Sequence, residues 1–230
     1  MEKVGFIGAC DKINLIMYVA KALEAIGKKV IVVDTTITQK TKYAVPVINP
    51  TKTYITSFEN IDFAVGFKNV EDISNYLGIP EGTREKKLPY DYMLIDIDSY
   101  KMAEVFEIEE AEENYFVTSF DIYSLRRGVE LIKNIKTPMK LSRIFYDYSM
   151  RKEDEEYLNY LSLDTKTTWN EFSIYVPITG YDKQIMEENQ RVFRLRLKRL
   201  SAECLECILY IAQDIVKDMN TNKIRKMIKE

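Results

Sequence analysis

GFIGACDKINLIMYVAKALEAIGKKVIVVD, Gly5 to Asp34, decides the fold of the chain. Val4–Ile7 is a short apolar run that predicts a strand. Lys12–Ile26 follows a turn and carries Leu15, Val19, Ala22, Leu23 and Ile26 near helical spacing, with Gly27 ending the helix. Val30–Val33 is then a continuous β-branched run, the pattern of a strand buried on both faces of a parallel sheet. Strand, turn, helix and strand in this order open a nucleotide-binding α/β unit. The turn itself departs from that role. A phosphate-binding turn uses glycines for close backbone approach, a lysine for the phosphates and a Ser or Thr hydroxyl for magnesium. Here the lysine, Lys12, is what survives.

Outward from this unit the same logic repeats. Tyr92–Ile97, Tyr115–Ser119, Leu141–Tyr146 and Ser173–Val176 read as strands, separated by helical segments at Ser124–Ile135 and Glu153–Leu161. Alternating strands and helices imply right-handed crossovers, hence a doubly wound α/β fold with a mostly parallel sheet and helices on both faces. The 230 residues fit a single domain, 1–230. Tyr43–Phe67 is rich in β-branched and aromatic residues and contains Pro46 and Pro50, which predicts a β-rich edge insertion at 43–67, as edge strands or a hairpin. In Arg194–Lys217, Leu197, Leu200, Cys204, Ile208, Ile211 and Ile215 recur at steps of three or four, predicting one C-terminal helix, followed by a tail to residue 230. Glu104–Glu113 holds six glutamates and is expected to be a solvated surface.

Composition narrows the chemistry. With no histidine, Ser-His-Asp and Cys-His mechanisms are excluded. Cys204 and Cys207 form a CxxC within the predicted final helix and, with Cys10 the only other cysteine, are expected to be core residues; no metal site is expected. The net charge of −3 argues against a surface built throughout for nucleic acid. No apolar run is long enough to span a membrane, and MEKVGFIGAC lacks the layout of a signal peptide, so the expectation is a cytoplasmic protein with membrane contact only at the periphery.

The order of strand, turn, helix, GKKVIVVD, YDYMLIDID, NYFVTSFDIYSLRRGVELI and YVPITGYDKQIMEENQ resembles the MinD/ParA group of deviant-Walker P-loop ATPases over nearly the whole chain. That resemblance implies a P-loop NTPase-like fold. It places Ile7 at the family's signature lysine, Gly8 and Ala9 at its paired glycines, Asp11 at its last glycine, Lys12 at its P-loop lysine, and Ile13 and Asn14 at its two threonines. Asp34 and Asp96 match its strand-end aspartates, which support the metal and the attacking water, and Asp98 adds a carboxylate nearby. If nucleotide binds, the residues implied are Gly8, Lys12, Asn14, Asp34 and Asp96. Ile13 cannot coordinate magnesium, Ile7 cannot reach a partner's phosphate, and Asp11 repels one. Asp11 is better read as the cap of the following helix, leaving Lys12 solvated or locally paired. YDYSMR after Leu141–Tyr146 lacks the asparagine that family members present to adenine. No catalytic residue and no cofactor are therefore expected, weak ATP or ADP binding being the reading left open.

Among family members the chain is most similar to the atypical TadZ/CpaE group, which marks the assembly site of Tad-type pili. The resemblance implies a localisation or assembly scaffold with protein partners and a nucleotide-independent homodimer, for which Tyr43–Phe67 offers a surface. The alternatives are an ATP-cycling ATPase and a DNA-partition protein, the latter resting on Arg191, Arg194, Arg196, Lys198 and Arg199. A membrane surface is a further candidate partner through Lys223, Ile224, Arg225, Lys226, Met227, Ile228 and Lys229, where basic residues flank three apolar ones.

Overall fold

The computed structural model describes residues 1–47, 52–79, 88–146, 152–217 and 221–229. The strands are β1 (Glu2–Ile7), β2 (Val30–Asp34), β3 (Tyr54–Phe58), β4 (Ile61–Val65), β5 (Tyr92–Ile97), β6 (Glu113–Thr118), β7 (Met139–Tyr146) and β8 (Thr167–Val176). The helices are α1 (Ile13–Ala25), α2 (Thr41–Ala44), α3 (Val70–Tyr76), α4 (Tyr100–Val105), α5 (Ile122–Lys133), α6 (Lys152–Leu161), α7 (Gly180–Arg191), α8 (Ala202–Val216) and α9 (Thr221–Lys229). Among the described residues the strands form one sheet in the order β3-β4-β2-β5-β1-β6-β7-β8, parallel except for the β3–β4 pair. The doubly wound α/β expectation holds. Strand residues alternate between two cores. Phe6, Val32 and Leu94 pack with α1, α7, α8 and α9, whereas Ile31, Ile95 and Phe116 pack with α3, α4, α5 and α6.

Tyr43–Phe67 contains the hairpin the sequence predicted. Glu59 and Asn60 both have positive φ, 52° and 61°, as a two-residue turn between twisted strands demands. Neither strand carries proline: Pro46 precedes β3, and Pro50 lies outside the described residues. Most of Glu104–Glu113 is exposed, as expected of that run.

Arg194–Lys217 is not one helix. α7 ends with Phe193 at φ 49°, a short 3₁₀ turn spans Leu197–Arg199, and α8 starts only after Ser201, whose hydroxyl accepts the Cys204 amide. Leu197 and Leu200 are buried without α-helical geometry, so their spacing matches a helix that does not form there. The arginines consequently do not form a helical stripe. Arg191 pairs with Glu187, Arg194 with Glu59, and Arg196 and Arg199 with Glu188. Cys204 is fully buried in α8 and Cys207 half-buried, with burial pushing both thiols upward.

The C-terminal segment is a helix, α9, packed against α8 and α1, and not a tail. Ile224 is wholly buried in the α1–α8 core, where no lipid can reach it, and Arg225 pairs with Glu206. The side chains of Lys223, Met227, Ile228 and Lys229 lie outside the described residues. Ile224→Ala should therefore lower stability by ~2–5 kcal/mol in denaturant unfolding, as core truncations do. A change near zero would mark α9 as undocked.

Candidate functional site

Parallel register brings the candidate residues to the carboxyl end of the central strands. Asp34 of β2 lies beside Asp96 of β5, and Phe6 of β1 flanks Asp96 on the other side. The Gly8–Asn14 turn leaves β1 directly above them. Gly8 is required there by packing: its amide donates to Ile97 O at 3.0 Å, and a Cβ would lie 2.0 Å from Val117 O. The glycine thus lets the turn pass between the ends of β5 and β6.

Lys12 folds inward. Its residue is 2% exposed, and Nζ makes an ion pair with Asp96 Oδ1 at 2.7 Å and donates to Gly8 O at 2.8 Å. The expectation of a solvated lysine is overturned and that of a local pair stands. Burial opposes the ammonium charge, but Asp96, Cys10 and Asp98 together carry the Lys12 pKa above its ordinary value. Burial pushes the Asp96 carboxyl up to about 6, helped by Asp34 and Asp98 and opposed by Lys12.

The remaining candidates are committed elsewhere. Asp34 Oδ1 accepts the Thr36 amide at 3.0 Å and hydroxyl at 2.6 Å, while Oδ2 accepts the Thr41 amide at 3.0 Å, so this carboxylate organises the loop into α2. Asn14 Oδ1 accepts Gln190 Nε2 at 2.8 Å and so ties α1 to α7. Ile7 and Ile13 are core residues, 0% and 3% exposed. Asp98 accepts the Ile37 amide at 3.0 Å.

Asp11 is not the N-cap. Lys12 holds that position with φ −123° and ψ 6°, and no side chain caps it. Asp11 Oδ1 reaches the Ile13 amide only at 3.4 Å, because Oδ2 is drawn to Lys40 Nζ at 2.6 Å. The cavity left over the turn measures about 310 Å³ and is lined by Asp11, Lys12, Thr36, Lys40, Asp98 and Tyr123 among others. Thr36, Thr41 and Lys40 escaped the sequence reading. The Asp-Thr-Thr of 34–36 was the available signal, since Asp side chains fold back onto amides two residues on. Residues 147–151 of the YDYSMR stretch after β7, which lacks an asparagine, lie outside the described residues.

No family model matches the sequence, and no curated protein does. Solved structures match over nearly their whole length. A chain of the MinC:MinD cell division protein complex of Aquifex aeolicus has 12% identity and a TM-score of 0.60, with 96% of this chain and 97% of that one covered. A plasmid partition protein of Borrelia burgdorferi bound to AMPPNP has 12% identity and a TM-score of 0.62, with 95% and 99% covered. A Cyanothece McdA variant in complex with ATP has 10% identity and a TM-score of 0.59, with 96% and 98% covered. The fold is that of the MinD/ParA ATPases. Within that fold, the turn carrying Lys12 is closed by a pair internal to the chain.

Two measurements test the pair. Lys12→Met should cost up to ~3–5 kcal/mol of stability above the pH at which Asp96 in the variant takes up a proton, and less below it, because the buried carboxylate loses its cation; adding Asp96→Leu should recover most of the loss. A lysine kept only for phosphate would leave the stability of the free protein unchanged when replaced. Carboxyl NMR should find Asp96 titrating near pH 6 and, because Lys12 is the group that lowers that value, higher still in Lys12→Met.

Proposed function

We propose that the protein is a scaffold of MinD/ParA fold that positions other proteins and has given up the nucleotide cycle. Lys12 carries the reading: the cation at the P-loop lysine position is held by Asp96 and Gly8 O and has 1% of its side chain exposed. Carboxylates at 11, 96 and 98 line the cavity at the same turn, and Ile13 supplies no metal-binding oxygen. A tri- or diphosphate entering there would have to break a buried ion pair and approach several anions.

A protein partner suits this end of the molecule better. Ile37 and Tyr123 stand 79% and 67% exposed at the cavity over the turn, an apolar rim of the kind that marks protein contacts. The MinD-type fold is seen in a complex with MinC in the Aquifex structure. A localisation or assembly role like that of the TadZ/CpaE group at Tad-type pili is the specific form we favour, with any homodimer forming without nucleotide. The DNA-partition reading is weaker, because four of its five cations sit in exposed pairs with glutamates on a non-helical segment or beside it.

Calorimetric titration of the purified chain with Mg-ATP and Mg-ADP tests the proposal. We expect no micromolar isotherm for either nucleotide and the same sedimentation profile with and without ATP. A micromolar isotherm, or a dimer that forms only with ATP, would replace the scaffold by a cycling ATPase.

A further inference from the structure

Away from the turn, the β6–β7–β8 flank carries a trench with no role in the site above. It consists of three adjoining depressions of about 410, 250 and 340 Å³. Lys140, Asn170 and Asp214 line both the first and the second, and Ile174 and Tyr210 both the second and the third. One end is acidic, with Glu109 and Glu112; the other is apolar, between β8 and α8.

A bulge opens the trench. Leu141 of β7 pairs with Trp169 of β8, but Arg143 pairs with Ser173, so Asn170–Phe172 stand opposite the single residue Ser142. Asn170 Nδ2 donates to Ser142 Oγ at 2.5 Å and Asn170 O accepts from Arg143 at 3.3 Å, which fixes the bulge. Bulges re-aim side chains, and this one leaves Phe172 71% exposed beside Tyr210, itself 47% exposed. Glu109, Glu112 and Glu171 make no ion pair among the described residues.

The opposite flank carries the complementary feature. The loop after α7 presents Val192 and Phe193, 47% and 45% exposed, between Arg191 and Arg194. Phe193 and Arg194 lie beside the Glu59–Asn60 turn at the start of β4. The two arginines are themselves exposed and pair at 3.3 Å with exposed Glu187 and at 3.6 Å with half-buried Glu59, contacts long enough to exchange for others.

We infer that the chain associates head to tail with a second copy of itself, the arginine-flanked Val192–Phe193 loop of one copy seating in the trench between β8 and α8 of the next. Charge and shape agree: exposed carboxylates with two exposed aromatic rings face cations with two exposed apolar side chains. Position agrees as well. β4 and β8 lie toward opposite edges of the sheet, so loop and trench of one molecule cannot meet and each stays open to another copy. Such a contact is heterologous, and it extends into a row or ring instead of stopping at a dimer. A scaffold that lays out other proteins gains a repeating platform from it. The inference does not depend on whether nucleotide binds, since neither surface touches the Lys12 turn.

Sedimentation velocity of the full chain without nucleotide provides the test. Wild type should sediment faster as concentration rises through the micromolar range, and high salt should reverse the effect. Two variants separate the halves: Glu112→Lys with Glu171→Lys removes the trench charge, and Val192→Ser with Phe193→Asn removes the loop, asparagine being compatible with the positive φ. Phe172→Ser is a second trench variant, and an unchanged unfolding midpoint certifies that each is folded. Each variant alone should remain monomeric, whereas a trench variant mixed with the loop variant should give a dimer that grows no further, because one intact loop meets one intact trench. A wild type that stays monomeric at every concentration overturns the inference and leaves the trench to a basic segment of another protein. Folded variants that associate like wild type, or a mixture that stays monomeric, overturn it equally.

Discussion

The buried pair between Lys12 and Asp96 is the constraint around which this end of the molecule is arranged. Its two members come from the turn after β1 and from β5, and the Gly8 carbonyl closes the third side. Removing two charges from water is costly, and the pair holds only because each charge has a partner at hydrogen-bond distance. The geometry explains why Gly8 is retained although phosphate cradling is not. The turn has to pass close enough to Val117 for Lys12 to point back at the sheet. It also explains why Asp34 looks elsewhere: with Asp96 beside it in register, its oxygens accept hydrogen bonds from Thr36 and Thr41 instead of sharing the single lysine.

A second set of buried polar contacts fastens the C-terminal third to that frame. Asp182 accepts the amides and hydroxyls of both Thr179 and Ser201, so one fully buried carboxylate caps α7 and anchors the residue that caps α8. These hydrogen bonds hold its carboxyl below the ordinary range despite burial. Asn189 donates to Tyr18 OH at 2.6 Å and Gln190 to Asn14 at 2.8 Å, which fixes α7 along α1. α8 and α9 then cover the rest of the α1 face, with Ile224 as the last apolar contact. Asn14, at the second threonine position of the nucleotide-binding motif, is in this chain a structural joint between two helices.

Much of the architecture was written in local sequence. Short apolar runs identified β1 and β5, a continuous β-branched run identified β2 as a strand buried on both faces, and the helical spacing of Leu15 to Ile26 identified α1, because in each case the local pattern matches the burial. The hairpin was legible for a similar reason. Periodicity failed in Arg194–Leu200, where leucines at helical spacing are buried by a 3₁₀ turn and loop, and it could not show that Ile224 enters the core, since three apolar residues among lysines look the same on a docked helix as on a free one. The sequence by itself also determined that the turn lacks a metal-binding hydroxyl and that histidine chemistry is absent. Only the tertiary structure decided what Lys12 does. Its partner Asp96 is 84 residues away by number (96 − 12) and reaches it because β1 and β5 pair in parallel register, a relation between distant strands that no local pattern encodes. The same applies to Asp11: next to a helix start it reads as a cap, and the fold instead supplies Lys40 from the β2–α2 loop to draw its carboxylate away.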